Sequence, residues 1–210
     1  MATIVPAILT NDIIELNKKL GMLSGLVEWA QIDIMDGKFV ETLSIKPEEL
    51  ELLQTDLRLE VHLMVQDPRA WLPYLPKEKF ERIIFHYEAV PEPEGLIEEL
   101  KETGYQVGLA LKPETPLEAI EPFIDLVDLV LFLAVDPGRQ GQQYHPEVVV
   151  KAEAMRDMDT RTLIGVDGGI NEQTIGQLVS AGVDWFCVGS ALFKDGKVPE
   201  NLLKLQEQLI

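Results

Sequence analysis

Cysteine is almost absent from the 210-residue sequence, which contains only one. A single cysteine excludes a disulfide framework and a thiolate metal cluster. No apolar run reaches the ~18 residues that a membrane-spanning helix needs. The first six residues, MATIVP, lack the basic region and the apolar stretch of a signal peptide. We therefore expect a cytoplasmic protein without a membrane segment.

Positive charge is also scarce, with 18 Lys and Arg against 36 Asp and Glu, so the net charge is −18 with the three histidines neutral. This acidity argues against nucleic acid and against anionic membrane surfaces as partners. An anionic substrate would need a local site that binds it against the repulsive field of the whole chain. A saline habitat would equally explain the charge, and both interpretations stay open.

Short runs rich in Val, Ile, Leu and Phe alternate along the chain with amphipathic stretches that carry most of the charge. The hydrophobic fraction of 46% is enough for a core, which excludes disorder and fits one domain over residues 1–210. Strands are predicted at Thr3–Leu9, Trp29–Met35, Leu57–Met64, Arg82–His86, Gln106–Leu111, Asp128–Val135, Thr162–Val166 and Asp184–Val188. Helices are predicted at Asn11–Leu23, Pro47–Leu53, Pro68–Leu75, Pro93–Thr103, Pro116–Phe123, Pro146–Asp157, Glu172–Ser180 and Glu200–Gln208.

Eight strands that alternate with eight helices predict a parallel sheet with crossover connections. This count favours a closed (β/α)8 TIM barrel over an open doubly wound sheet, and the length lies near the lower end of the ~200 to >400 residues of such barrels. In that fold the functional residues stand at the carboxyl ends of the strands.

The second strand carries an unusual polar face for a strand that is otherwise built for burial. Gln31, Asp33 and Met35 are two residues apart, so they share one face. A buried carboxylate is costly unless it is paired or binds a metal. Asp33 is therefore either a functional group or a structural aspartate that is hydrogen-bonded to loop amides.

Histidines stand at the ends of the next two strands. His62 shares a face with Met64, and His86 shares a face with Glu88. A lone histidine at a strand end is more often a hydrogen-bonded core residue than a ligand, so both interpretations stay open. His145 precedes Pro146 and is predicted to lie in a loop.

Glycine-containing turns follow the last three strands. Asp167 is followed by Gly168 and Gly169, the eighth strand ends at Gly189-Ser190, and the loop after the sixth strand contains Gly138, Arg139, Gln140 and Gly141. Glycine lets the backbone approach a ligand closely, and barrel enzymes commonly bind phosphate at the loops after strands seven and eight. Backbone amides there would bind an anion despite the net charge of the chain.

Taken together, these residues resemble the ribulose-phosphate 3-epimerase family, from Pro6 to Phe193. The matching motifs are Pro6-Ala7-Ile8-Leu9, Asp33-Ile34-Met35-Asp36-Gly37-Lys38-Phe39-Val40, His62-Leu63-Met64-Val65, Phe85-His86-Tyr87-Glu88, Gly108-Leu109-Ala110-Leu111, Asp136-Pro137-Gly138, Gly141-Gln142, Val166-Asp167-Gly168-Gly169-Ile170 and Gly189-Ser190-Ala191. Members of the family interconvert ribulose 5-phosphate and xylulose 5-phosphate, and related members act on hexulose phosphates.

The resemblance implies that Asp33 and Asp167 transfer protons on opposite faces of the substrate, through a cis-enediolate intermediate. It implies a divalent metal (Zn, Fe, Mn or Co) held by two histidines and the same two aspartates, and a homo-oligomeric assembly. Met35 and Met64 match methionines that shield the intermediate, although ordinary core packing would also explain them. The implied partner is a small phosphorylated ketose.

The chain departs from the family pattern at several site positions. Gln31 replaces the first metal-binding histidine, Ala7 a small hydroxyl residue, Lys112 an asparagine, Arg139-Gln140 an aromatic residue and a glycine, and Leu133 a methionine. Asp33, His62 and Asp167 would then form an open three-ligand metal site. Gln31 is expected either to bind the metal weakly through its amide oxygen or to hydrogen-bond Asp33 in place of a ligand.

A metal-free site is the alternative, with Lys112 supplying part of the missing charge unless it is a solvated loop lysine. Three functions therefore stay open: a pentulose-phosphate 3-epimerase with an altered metal site, an epimerase of another keto-sugar phosphate, and a non-catalytic phosphosugar-binding paralogue. The two facing aspartates argue against the third. We expect the pocket to include Ala7, Met35, Met64, His86, Lys112 and Leu133.

Overall fold

The computed structural model describes residues 2–138, 142, 144–158 and 161–209, and within them eight parallel strands close into a barrel. The strands are β1 (Thr3–Ile8), β2 (Trp29–Met35), β3 (Arg58–Met64), β4 (Phe80–His86), β5 (Gln106–Leu111), β6 (Leu129–Leu133), β7 (Leu163–Asp167) and β8 (Trp185–Val188). They pair in chain order, and β8 closes the barrel against β1. The predicted (β/α)8 fold is confirmed.

The α-helices among the described residues are α1 (Ile13–Leu23), α2 (Pro93–Glu102), α3 (Glu147–Asp157), α4 (Ile175–Ser180), α5 (Ser190–Phe193) and α6 (Val198–Gln206). The 3₁₀ helices are Pro47–Leu52, Pro68–Tyr74, Tyr87–Ala89, Leu117–Ala119, Glu121–Leu126, Lys194–Gly196 and Glu207–Leu209. Helix α1 begins at a capping residue. The Asp12 side chain accepts from the backbone N–H groups of Ile14 and Glu15 and so caps the first turn.

Three of the predicted helices, those after β2, β3 and β5, form 3₁₀ rather than α structure. Each of these segments is short and begins at or just after a proline, and Pro73 lies inside one of them. Proline lacks the N–H that an α-helical hydrogen bond requires, and short segments tolerate the tighter 3₁₀ pattern. Helix α5, directly after β8, was not predicted, because four residues are too few to show a helical period.

Most of the core lies between the barrel and the surrounding helices, and a second apolar cluster fills the barrel itself. At the end of the barrel where the strands begin, Arg82 is ion-paired with Glu60 at 2.8 Å, and both side chains are buried. The Arg82 guanidinium lies over the rings of Trp29 and Trp185, 4.9 and 4.6 Å from their centroids. Trp185 Nε1 donates to Glu60 at 2.9 Å. This cluster closes the lower end of the barrel.

No helix in the part of the chain that the structure describes combines the length and the apolar character needed to cross a membrane.

Replacing Arg82 with methionine tests the importance of the buried pair. Arg82→Met leaves the Glu60 carboxylate buried without its partner, so the free energy of unfolding is expected to fall by about 3–5 kcal/mol. Urea denaturation measures the loss. The matched control is Arg69→Met, which breaks an exposed ion pair with Glu99 and is expected to cost less than about 1 kcal/mol. Equal losses in the two variants would show that the buried ion pair contributes no more to the free energy of unfolding than an exposed one.

Candidate active site

Three potential ligands converge at the carboxyl ends of the strands. Asp33 in β2 and His62 in β3 are direct neighbours in the strand register, and Asp167 is the last residue of β7. His62 Nδ1 lies 3.3 Å from Asp33 Oδ1 and 3.3 Å from Asp167 Oδ2. The three side chains line one cleft at this end of the barrel. The structure thus brings both predicted acid/base residues and the predicted histidine together.

Gln31 hydrogen-bonds to both carboxylates. Its Nε2 donates to Asp33 Oδ1 at 2.9 Å and to Asp167 Oδ2 at 2.8 Å, and the side chain is fully buried. Its Oε1 faces the other way and accepts from the thiol of Cys187 at 3.1 Å. Of the two arrangements expected for Gln31, the structure contains the second, in which the amide hydrogen-bonds Asp33 rather than offering its oxygen to a metal.

Behind His62, further hydrogen bonds lead away from the cleft. His62 Nε2 lies 3.0 Å from His86 Nε2, and His86 Nδ1 lies 3.2 Å from Glu88 Oε2. Glu88 Oε1 accepts from the backbone N–H of Lys112 at 2.9 Å and from the Thr115 hydroxyl. His86 therefore contacts His62 from behind. It was expected in the pocket, but it does not line the cleft.

The electrostatics follow from burial and from the opposed charges. Burial raises the pKa of Asp33, the neighbouring His62 ring lowers it, and the nearby Asp167 charge raises it, with a net upward shift. Burial lowers the pKa of His62, but Asp167 and Asp33 outweigh it and bring the pKa to about 9. Burial lowers the pKa of His86 to about 4. Hydrogen bonds from His86 and Thr115 outweigh burial and lower the pKa of Glu88 to about 2.

The donor set fits a divalent metal ion. Among the described residues, His62 Nδ1 is the one buried side-chain nitrogen or oxygen that makes no well-directed hydrogen bond. It faces two carboxylates, and ligand atoms of Asp33, His62 and Asp167 all lie within 4.8 Å of one another. Imidazole and carboxylate ligands suit Zn²⁺, Mn²⁺, Fe²⁺ and Co²⁺. Three side chains are therefore placed so that they could hold such an ion.

The predicted phosphate turns line the same cleft. Gly138, Gly168, Gly169, Gly189 and Ser190 all border it, while Arg139, Gln140 and Gly141 lie outside the described residues. Gly168 has a φ of +97°, and a Cβ there would lie 2.4 Å from Val135 Cγ2. Only glycine fits this turn, which brings the backbone to the rim of the cleft.

Four of the predicted pocket residues, Ala7, Met35, Met64 and Leu133, line the cleft as apolar walls. Lys112 does not. Its Nζ lies 4.3 Å from the centroid of the Phe39 ring, and it borders an adjoining cleft that shares Pro137, Gly138 and Gln142 with the first.

Cys187 is a site residue that the sequence analysis missed. The period-two pattern of β8 would have placed it on the inner face together with Trp185. Its contact with Gln31, however, joins residues 156 positions apart, and no local pattern predicts that.

Comparison with known proteins shows the family to which the chain belongs. The model of the ribulose-phosphate 3 epimerase family matches residues 3–193. The ribulose-phosphate 3-epimerase of Mycobacterium bovis is 37% identical over 199 residues, which cover 90% of this chain and 85% of that protein. The Schizosaccharomyces pombe enzyme of the same name is 35% identical over 208 residues, covering 96% and 91%.

Among solved structures, 3-hexulose-6-phosphate synthase from Salmonella typhimurium superimposes with a TM-score of 0.72 at 14% identity, covering 99% of this chain and 98% of that one. Orotidine 5'-monophosphate decarboxylase from Sulfolobus solfataricus gives 0.69 at 12% identity, covering 100% and 98%. These likenesses concern the barrel alone. The family model and the curated relatives go further: the chain belongs to the ribulose-phosphate 3-epimerase family.

Proposed function

We propose that the protein is a ribulose-phosphate 3-epimerase, which interconverts ribulose 5-phosphate and xylulose 5-phosphate. The observation that carries the proposal is the convergence of Asp33 and Asp167, from strands β2 and β7, on one cleft. Inversion at the carbon beside a ketone removes a proton from one face and returns a proton to the other. Two acid/base groups on either side of the substrate can do this.

The two aspartates take different roles in each direction of the reaction. Burial and the neighbouring charge of Asp167 favour the protonated form of Asp33, against the opposing effect of His62. We assign Asp33 as the acid and Asp167 as the base in one direction, with the roles exchanged in the other. The amide of Gln31 donates to both carboxylates and so fixes their orientation toward the cleft.

Other residues of the cleft hold the substrate and exclude water. Met35, Met64 and Leu133 form apolar walls around the reacting carbon, where a dry environment strengthens electrostatic interactions. Asp33, His62 and Asp167 would hold a divalent metal, and such an ion, when bound, stabilises negative charge on the oxygens of an enediolate. Gln31 is not one of the ligands in this arrangement.

Phosphate binding is assigned to the glycine turns after strands β6, β7 and β8, which share one rim of the cleft. Gly168, Gly169, Gly189 and Ser190 provide backbone groups there, and Gly138 lies at the same rim. Arg139, Gln140 and Gly141 belong to this assignment as sequence neighbours of Gly138, and Arg139 would add a charge-assisted contact.

An epimerase of a different keto-sugar phosphate is the second candidate function. The observation that favours it is the adjoining cleft, which opens from the shared residues Pro137, Gly138 and Gln142 toward Lys112. This cleft gives a longer substrate both room and a cation. Comparing turnover of pentulose and hexulose phosphates separates the two candidates, because only the second predicts faster turnover of the longer sugar.

Removing either carboxylate should abolish most of the activity. Asp33→Asn and Asp167→Asn keep the shape of the side chain but not its basicity, so kcat should fall by about 10²–10⁴-fold. A coupled assay for xylulose 5-phosphate measures this. Asp56→Asn, at an exposed position near the start of β3, is the control and should retain wild-type turnover. Near-normal rates in both site variants would refute the assignment.

Gln31→His places an imidazole beside the three ligands, in place of an amide that donates to the two carboxylates. We expect tighter binding of Co²⁺, by about 10–100-fold, which is the scale of effects around metal sites. Isothermal titration of the metal-free protein measures the affinity. Gln206→His, on the exposed side of α6, controls for a surface histidine and should change nothing. An unchanged affinity in Gln31→His would show that position 31 does not limit metal binding.

Gly168→Ala should weaken phosphate binding selectively. The new methyl group collides with Val135, and alanine is strained at the φ of this turn, so the rim must shift. KM for ribulose 5-phosphate is expected to rise about tenfold, a loss of about 1.4 kcal/mol, with a smaller change in kcat. Gly176→Ala is the matched control, because a Cβ there meets nothing within 4 Å. A fall in kcat without a change in KM would contradict the assignment.

A further inference from the structure

Glu88 lies at the far end of the hydrogen bonds that begin at His62, outside the cleft. The order is His62 Nε2 to His86 Nε2 at 3.0 Å, then His86 Nδ1 to Glu88 Oε2 at 3.2 Å. Both imidazole rings are fully buried, and they stack with centroids 5.1 Å apart. Two buried imidazoles that are hydrogen-bonded in series have few ways to place their protons, and the geometry selects among them.

The proton positions can be followed from Glu88 inward. Glu88 Oε1 already accepts from the Lys112 backbone N–H and from the Thr115 hydroxyl, as a carboxylate does. Glu88 Oε2 also accepts, so the donor opposite it is His86 Nδ1–H. A neutral imidazole that carries its proton on Nδ1 has a lone pair on Nε2.

The remaining contact then has one solution. Because His86 Nε2 is the acceptor, the proton between the two rings belongs to His62 Nε2. His62 Nδ1 consequently faces Asp33 and Asp167 and is the nitrogen at which a metal ion or a second proton can be held. The opposite tautomer of His62 would present a fixed N–H to the two carboxylates and could not bind a metal there.

We propose that Glu88 is a positioning residue, which acts through His86 to keep the proton of His62 on Nε2 and to leave Nδ1 available at the two carboxylates. The effect on turnover rests on the proposed function, whereas the tautomers do not. Carboxylate groups commonly fix a metal-binding histidine by a direct hydrogen bond. Here the Glu88 carboxylate contacts a second histidine, His86, which in turn contacts His62.

Glu88→Gln tests the idea because the surroundings dictate how the amide must sit. The Lys112 N–H can only donate, so the amide oxygen has to take the place of Oε1, and the NH2 group then faces His86 Nδ1. His86 must accept there and move its proton to Nε2. His62 must in turn accept at Nε2 and carry its proton on Nδ1.

The experiment is a long-range ¹H–¹⁵N spectrum of the metal-free protein labelled at its histidines, of which the sequence has three. His145 lies near Asp136 and takes no part in the hydrogen bonds between His62, His86 and Glu88, so it serves as an internal reference. For the wild-type protein we expect His86 to be protonated at Nδ1 and not at Nε2, and His62 to be protonated at Nε2. In Glu88→Gln, we expect the His86 proton to move to Nε2 and the His62 Nε2 proton to be lost.

A second measurement gives the consequence for the site. Co²⁺ affinity should fall by about 10–100-fold in Glu88→Gln, because a His62 ring that accepts at Nε2 could bind the metal through Nδ1 only by losing its last ring proton or by breaking the hydrogen bond with His86. The matched control is Glu98→Gln, which removes one charge from an exposed position on α2 and should leave the spectrum and the affinity unchanged. A purely structural role of Glu88 would alter stability without exchanging the protonated nitrogens.

Two results would overturn the proposal: a wild-type His86 that is protonated at Nε2, or a Glu88→Gln protein whose tautomers match the wild type. The first needs no variant, so it decides the matter even if the variant does not fold. Neither spectrum nor titration uses a sugar. A protein with the expected tautomers that does not turn over ribulose 5-phosphate would therefore refute the proposed function and leave this proposal standing.

Discussion

Two carboxylates held in one buried space are the constraint on which the rest of the site depends. Asp33 and Asp167 come from different strands, yet each lies 3.3 Å from the same nitrogen of His62 and within hydrogen-bond distance of the same amide of Gln31. Burial and like charge both oppose the ionised pair. The surrounding groups offset this by donating: the Gln31 amide directly, and His62 through Nδ1 when that nitrogen is protonated.

Below the two carboxylates, a few polar side chains lie within the apolar interior of the barrel. From the lower end upward, Arg82 pairs with Glu60, Glu60 accepts from Trp185, and the Cys187 thiol above them donates to Gln31. Each of these groups has a partner, which is the condition for keeping polar side chains inside a barrel that is otherwise filled with apolar ones. The lower layer stabilises the barrel, and the upper layer presents reactive groups to the cleft.

Much of this arrangement could be predicted from the sequence. Short apolar runs predict the strands, and the carboxyl ends of parallel strands all lie at the same end of the barrel. The strand order predicted that Asp33, His62 and Asp167 lie at the same end of the barrel, and the resemblance to the family implied that they share a metal site; their ligand atoms do lie together. The orientation of Gln31 could not be chosen from sequence, because it depends on Cys187, 156 positions away. Lys112 was expected in the pocket, but its side chain packs on Phe39 instead. The 3₁₀ segments show the same limit, since a short proline-containing run has helical composition without the length for an α-helix.

The central claim is that two different groups serve the two faces of the substrate, and the fate of the hydrogen at C3 tests it most directly. Ribulose 5-phosphate is converted in D₂O, and the xylulose 5-phosphate formed in the first turnovers is examined by NMR. Two facing carboxylates predict deuterium at C3 of the product, because the group that protonates the second face has exchanged with solvent. Product that retains the original hydrogen at C3 would mean that one group carries the proton across, and would contradict this account.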